Sequence, residues 1–294
     1  MLKVMPNRQS PPMYNWYMQL RDYLKRIGWS GAITPTLESL GALLHTHNHN
    51  VPFENLDVQL GNPLTTSVEE AYDKIVNGNR GGWCYAQNGL FGWALSQIGI
   101  DVRRVAASVM RADNGHTSNA NHLALLVSLP SDDTRWLVDV GFGGSLLRPI
   151  QLEAGKHHHA PFAVGLRTLE DGHWQFWESI GKNEFSFDFK DIPADEQAMA
   201  DRCHYLQTSL DSSFVQNFVC QMRRPDSHIT LRGRVFSVVT SESRRKQVLE
   251  SADELVALLR NEFRLIAPEA ANLWGKICQR HEELEDQIQR QKNE

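Results

Sequence analysis

The periodicity of apolar residues changes near residue 100, and that change limits what the chain can fold into. Before it, the spacing is helical. Tyr17, Leu20, Leu24 and Ile27 share one face, with Gly28 placed as a C-terminal stop. Thr34-Pro35 suits a cap with proline at the first helical position, and Leu37, Leu40 and Leu44 carry the next stripe. Ser67-Val68-Glu69-Glu70 has the form of a capping box. After the breakers Asn77–Gly82, a further helix starts near Cys84, buries Phe91, Ala94, Leu95 and Ile98, and stops at Gly99.

Beyond residue 100 come short segments rich in β-branched and aromatic residues: 102–110, 123–129, 135–140, 173–177 and 185–189. Turns such as Asp113-Asn114-Gly115, 130–134 and Asp171-Gly172 separate them, which predicts antiparallel strands. From about residue 191 the signals mix. A helix is expected around 194–202, strands at 229–231 and 235–240, and a helix capped by Ser251 with Leu255, Leu258, Leu259 and Phe263 behind it. The charged tail, 281–294, is expected to be frayed or solvated. Helices, then strands, then a mixture predict an α+β fold with parts at 1–99, 100–190 and 191–294.

Composition narrows the function. The chain has 294 residues and a net charge of −5 with no basic stripe, which disfavours nucleic acid as a partner. No apolar run approaches the roughly 18 residues of a membrane helix, and the first residues hold no signal-like apolar stretch. Cys84, Cys203, Cys220 and Cys278 form no C-x-x-C pair. Scattered thiols without an export signal suit the cytoplasm.

Cys84 follows Arg80-Gly81-Gly82-Trp83 at the expected start of a helix, where the dipole and unpaired N–H groups favour an anionic sulfur. A buried, inert cysteine fits the same pattern. A nucleophile needs a base and an orienting group, and His122 and Asp139 flank one expected hairpin. A turn centred at 130.5 sets them directly opposite, about 5 Å apart at Cβ. A centre at 132 pairs 125 with 139, and a one-residue slip turns the two to opposite faces. A solvated strand histidine beside a turn aspartate remains the competing reading. Gly141, Gly143 and Gly144 follow Asp139, but no phosphate-loop signature accompanies them. His45, His47 and His49 alternate as strand residues facing a metal would, and His157-His158-His159 is a triplet. Neither cluster has cysteine or carboxylate partners at zinc spacing, so no metal is expected.

Arg80-Gly81-Gly82-Trp83-Cys84-Tyr85 with Asn88 resembles the active-site signature of the arylamine N-acetyltransferases. Val51-Pro52-Phe53-Glu54-Asn55-Leu56, Asn121-His122-Leu123, Asp139-Val140-Gly141-Phe142-Gly143, the 213–220 segment and Leu231-Arg232-Gly233 resemble further family blocks, in order. One departure is Ala86, where members often carry Glu or Gln; here Gln87 stands beside it. The resemblance implies a helical domain, a central antiparallel β-barrel and an α/β lid around a cysteine-protease-like core. It implies a Cys84–His122–Asp139 triad and acetyl transfer by a ping-pong route, with acetyl-CoA as donor and no metal. The acceptors would be arylamines, arylhydrazines or N-hydroxyarylamines, as in xenobiotic metabolism. Phe53 and Phe142 would wall the acceptor slot, and Gly141, Gly143 and Gly144 would lie near coenzyme A. A cysteine amide hydrolase, a transglutaminase-like enzyme and a silent scaffold are the alternatives. Oligomeric state is not legible.

Overall fold

Short capped helices open the chain because their apolar stripes are narrow and their ends are supplied with side-chain acceptors. A computed structural model describes residues 18–114, 119–181 and 183–293; Tyr17 and Gly115 lie outside them. The first stretch forms α1 (Leu20–Arg26), α2 (Leu37–Asn50), β1 (Phe53–Glu54), α3 (Leu56–Leu60), α4 (Val68–Tyr72) continuing as a π-turn over Asp73–Asn77, and α5 (Cys84–Ile98). Ser67 caps α4 by accepting from the Glu70 N–H, and Gly99 ends α5 in the left-handed conformation. The cap of α2 is Thr36, not Thr34: its hydroxyl accepts from the Ser39 N–H, and Pro35 stays outside the helix. The alternating histidines lie on α2, not on a strand. At 100° per residue, His45 and His49 stack on one face (ring centroids 4.0 Å apart) while His47 turns into the core.

The middle stretch forms β2 (Asp101–Val109), α6 (Arg111–Asn114), β3 (His122–Ser128), β4 (Trp136–Val138), β5 (Ile150–Gln151), β6 (Gly155–His159), β7 (Phe162–Thr168), β8 (Trp174–Ile180) and β9 (Asn183–Phe189). They make one antiparallel sheet in the order β5-β4-β3-β2-β9-β8-β7-β6. The expected barrel is open, since β5 and β6 are its edges. The histidine triplet lies on β6, with His157 and His158 exposed and His159 buried. Strands β5 to β7 escaped the sequence pattern because glycine, histidine and charged residues break their apolar runs.

The last stretch forms α7 (Glu196–Thr208), α8 (Ser213–Gln216), β10 (Val219–Arg223), β11 (His228–Arg232), β12 (Val235–Val239), β13 (Arg244–Val248), α9 (Ala252–Phe263), a 3-10 turn (Pro268–Leu273) and α10 (Trp274–Asn293). The expected frayed tail is therefore part of a helix, whose Ile277 is buried and whose far half is mostly exposed. A second antiparallel sheet has the order β1-β10-β11-β12-β13. Its edge strand comes from the first stretch, with Phe53 opposite Gln221 and Glu54 opposite Cys220.

Two cores result. The larger joins the first helices to the eight-stranded sheet, and Gly92 lets α5 lie against Val102 and Leu125. The smaller gathers Cys220, Ile229, Leu231, Leu255, Leu259 and Phe263 between the second sheet and α9. Each large apolar side chain removed from water there contributes about 1.5–3 kcal/mol. Among the described residues, no helix is long and apolar enough to cross a membrane.

Candidate active site

Cys84 is held by the loop before it. Gly82 bridges to Phe53 on β1, and its carbonyl accepts from the Glu54 N–H at 3.1 Å. A Cβ on Gly81 would collide with the Pro52 carbonyl, so the first glycine of the pair is required by backbone approach. Arg80 is tethered to Glu269 at 3.2 Å and lies 3.7 Å from Glu54. Lys74 adds contacts to Glu54 and Asp57 at 3.0 and 2.6 Å. Behind the loop runs a buried chain. Tyr23 donates to His47 Nδ1 at 2.8 Å, His47 Nε2 donates to Gln87 Oε1 at 3.0 Å, and Gln87 donates to the Gly82 carbonyl at 2.6 Å. Burial pushes His47 down to about 3, so it stays neutral in this chain of bonds. Gln87 thus braces the loop from the position next to Ala86, which packs beside Gly82.

The structure brings Cys84, His122 and Asp139 together. His122 Nε2 meets Asp139 Oδ2 at 2.6 Å, and the Cys84 sulfur lies near enough to the imidazole to favour its charged form. With Nε2 committed to Asp139, Nδ1 is the nitrogen left for sulfur. The hairpin register lies between the two considered from sequence. Leu125 faces Val138, which centres the turn at 131.5 and sets Asp139 level with 124. His122 and Asp139 are therefore diagonal neighbours, two residues off direct opposition but on the same face, within reach of long side chains. All three side chains are buried.

One helical turn beyond Cys84, Asn88 clamps this arrangement. Its amide donates to Asp139 Oδ1 at 2.8 Å and to the Leu123 carbonyl at 2.6 Å, and its oxygen accepts from the Val140 N–H at 2.9 Å. The Gly141 N–H gives Asp139 Oδ1 a further bond at 2.7 Å. Tyr85 donates to the Ala120 carbonyl at 2.6 Å, and Asn121 Oδ1 accepts from the Val109 N–H at 2.8 Å, fixing the approach to His122. Burial alone would push His122 down, but the Asp139 carboxylate and the Cys84 sulfur outweigh it and hold the imidazole up at about 10. The ring keeps its second proton at neutral pH.

Cys84 and His122 line a cavity of about 400 Å³ with Phe53, Gly141, Phe142, Gly143, Phe185, Phe214 and Gln221. Phe53 comes from β1, and Phe142 packs against His122 at 5.2 Å and stacks on Phe185 at 5.2 Å. The glycines answer to protein contacts. A Cβ on Gly141 would lie 2.6 Å from Cys84 Cα, Gly143 (φ 87°) backs onto Gln221, and Gly144 (φ 92°) backs onto Arg223 without lining the cavity. Phe185 and Gln221 were missed in the sequence. Phe185 sits in an expected strand like any other aromatic, and Gln221 reaches the cavity only because β10 pairs with β1. Among the described residues, no group of three His, Cys, Asp or Glu side chains is placed to hold a metal.

Residues 36–270 match the family model described as N-acetyltransferase. The arylamine N-acetyltransferase of Mycolicibacterium smegmatis is 36% identical over 84% of this chain and 91% of its own length. Human arylamine N-acetyltransferase 1 is 28% identical over 84% and 94%. The solved M. smegmatis enzyme has a TM-score of 0.81 at 33% identity, covering 88% of this chain and 97% of that one. The Mycobacterium marinum enzyme in complex with CoA has a TM-score of 0.80 at 29% identity, covering 89% and 98%.

Proposed function

Because the chain belongs to the arylamine N-acetyltransferase family, we propose that it transfers acetyl from acetyl-CoA to arylamine nitrogen by way of Cys84. One observation carries the assignment of residues. His122 is bonded to Asp139 through Nε2 and lines, together with Cys84, a cavity that also holds aromatic side chains.

The steps follow from the charges. The imidazolium stabilises an anionic Cys84 sulfur, which attacks the thioester carbonyl. First-turn N–H groups of α5, including that of Cys84, are oriented to bind the developing oxyanion; Trp83 caps them with no side chain. The tetrahedral intermediate expels the CoA thiolate, His122 gives it a proton, and acetyl-Cys84 remains. The amine then attacks acetyl-Cys84, neutral His122 takes the amine proton, and the Cys84 thiolate leaves as the amide forms. Asp139 stabilises the imidazolium in both halves.

In this reading, residues 1–99 carry the nucleophile, 100–190 the base and its orienting carboxylate, and 191–294 the lid, around a core of cysteine-protease type. Arylhydrazines and N-hydroxyarylamines are acceptors of the same class, and free thiols suit a cytoplasmic setting. Phe53 and Phe142 grip the aromatic ring. Initial rates against both substrates test the scheme. Parallel double-reciprocal lines are expected, and intersecting lines would rule out an acetyl-enzyme that forms before amine binds.

A further inference from the structure

The nucleophile loop is held from α1, a helix that lies before the segment matched to the family model. Two of its side chains, Tyr23 and Arg26, stand three residues apart on one face and both act on that loop. Arg26 donates directly. Its Nη2 bonds to the Arg80 carbonyl at 2.9 Å, while Nη1 and Nε take the Asn50 and Ile75 carbonyls at 2.8 Å each. Tyr23 acts at a distance, through His47 and Gln87, on the Gly82 carbonyl. Alternate carbonyls of the loop are thus fixed from one short helix.

The bonds of this chain can run in one direction only. The Gln87 amide nitrogen meets two carbonyls, Gly82 at 2.6 Å and Pro52 at 3.3 Å, and carbonyls only accept. Its oxygen therefore faces His47 Nε2 at 3.0 Å, and Nε2 carries the proton. His47 is buried and neutral, so Nδ1 holds a lone pair and Tyr23 must donate to it at 2.8 Å. The Tyr23 hydroxyl selects the tautomer, and the tautomer selects which end of the Gln87 amide faces the loop. With the proton on Nδ1 instead, Nε2 would turn a lone pair towards Gln87. The amide would then favour the flipped orientation, with its oxygen against the Gly82 carbonyl.

What the amide holds lies next to the chemistry. Gln87 binds two successive carbonyls ahead of Cys84, that of Gly82 with its side chain and that of Trp83 with its N–H at 2.9 Å. A trans peptide points its N–H opposite to its carbonyl, so fixing the Trp83 carbonyl aims the Cys84 N–H at the developing oxyanion. The Gly82 bond fixes the plane one step earlier. Ala86 offers the loop no polar group, which leaves this support to Gln87. We infer that Tyr23 and His47 are positioning residues for acyl transfer, which through Gln87 set the peptide planes before Cys84 and so aim its oxyanion-binding N–H. The inference rests on the acetyl-transfer reading.

The test separates acylation from alkylation of the same sulfur. Attack on acetyl-CoA builds an oxyanion, whereas attack on iodoacetamide displaces iodide and builds none. Tyr23→Phe and Gln87→Leu are compared with wild type. Tyr72→Phe, which loses a buried hydroxyl bonded only to the Gln19 backbone, is the control. At saturating acetyl-CoA, single-turnover acylation should slow about threefold or more in Tyr23→Phe and about tenfold or more in Gln87→Leu, with the half-saturating concentration within about twofold of wild type. Alkylation of Cys84 in every variant, and acylation in Tyr72→Phe, should stay within about twofold, because the thiolate and its imidazolium are untouched. Nitrogen NMR should show a protonated Nε2 and a bare Nδ1 on His47 in wild type, and a share of the other tautomer in Tyr23→Phe. Tyr23→Phe keeps the ring, so it decides the matter if Gln87→Leu does not fold. Unchanged acylation in Tyr23→Phe, a parallel fall in alkylation, an equal loss in Tyr72→Phe, or a His47 that keeps only the Nε2–H form in Tyr23→Phe would overturn the positioning role while leaving acetyl transfer intact. Wild type that is alkylated at Cys84 but forms no acetyl-Cys84 would refute the acetyl-transfer reading and the positioning role with it.

Discussion

Asn88→Ala should damage stability and chemistry together, because one amide serves three buried partners. The variant removes a hydrogen bond to the Asp139 carboxylate, of a kind that contributes about 1.5–3 kcal/mol. It also strands the Leu123 carbonyl and the Val140 N–H, at about 1–3 kcal/mol each. Even the low ends of these ranges exceed about 3 kcal/mol in total, a large part of the roughly 5–15 kcal/mol that holds a domain folded. Urea unfolding should show a lower midpoint at unchanged slope. Single-turnover acylation of Cys84 should slow by about a hundredfold, since Asp139 loses the group that aims it at His122. Asn88→Asp keeps an acceptor for the Val140 N–H but sets a second carboxylate against Asp139, so it should acylate no faster than Asn88→Ala. A loss below about 1 kcal/mol with normal acylation would refute the claim that Asn88 holds the site together.

His122 is held above the imidazole's ordinary value, so the stability it contributes is complete below about pH 6.5 and is lost as pH rises through about 10. Nitrogen NMR of the imidazole should therefore report a protonated His122 through about pH 8 in wild type, and a shift toward the ordinary histidine range in Asp139→Asn; a neutral ring at pH 7 in wild type would contradict this. Phe142→Ala should weaken transfer to bulky arylamines more than hydrolysis of acetyl-CoA, measured as kcat/KM for each, because the ring lines the cavity beside His122. Equal loss in both assays would remove its role as a substrate wall.

Local signals made α1, α2, α4, α5, α7, α9 and most β2–β9 strands legible: capping residues, stop glycines and runs of branched side chains. Ser67, Ser251 and Gly99 act at their expected ends because capping depends on near neighbours. What sequence could not give was set by distant pairing. β1 is two residues long and exists because β10 offers it partners. The His122–Asp139 register falls at a turn centre of 131.5, which no residue in 130–134 dictates alone. His47 alternates with its neighbours like a strand residue, yet it belongs to a helix and braces the nucleophile loop through Gln87.

The central claim is that Cys84 carries the acetyl group, and intact-protein mass after mixing with acetyl-CoA, with no amine present, tests it most directly. Wild type should gain one acetyl group (roughly 42 Da), lose it when an arylamine is added, and form no adduct as Cys84→Ser. No adduct on wild type while Cys84 remains accessible to alkylation, or an adduct that persists in Cys84→Ser, would contradict the account.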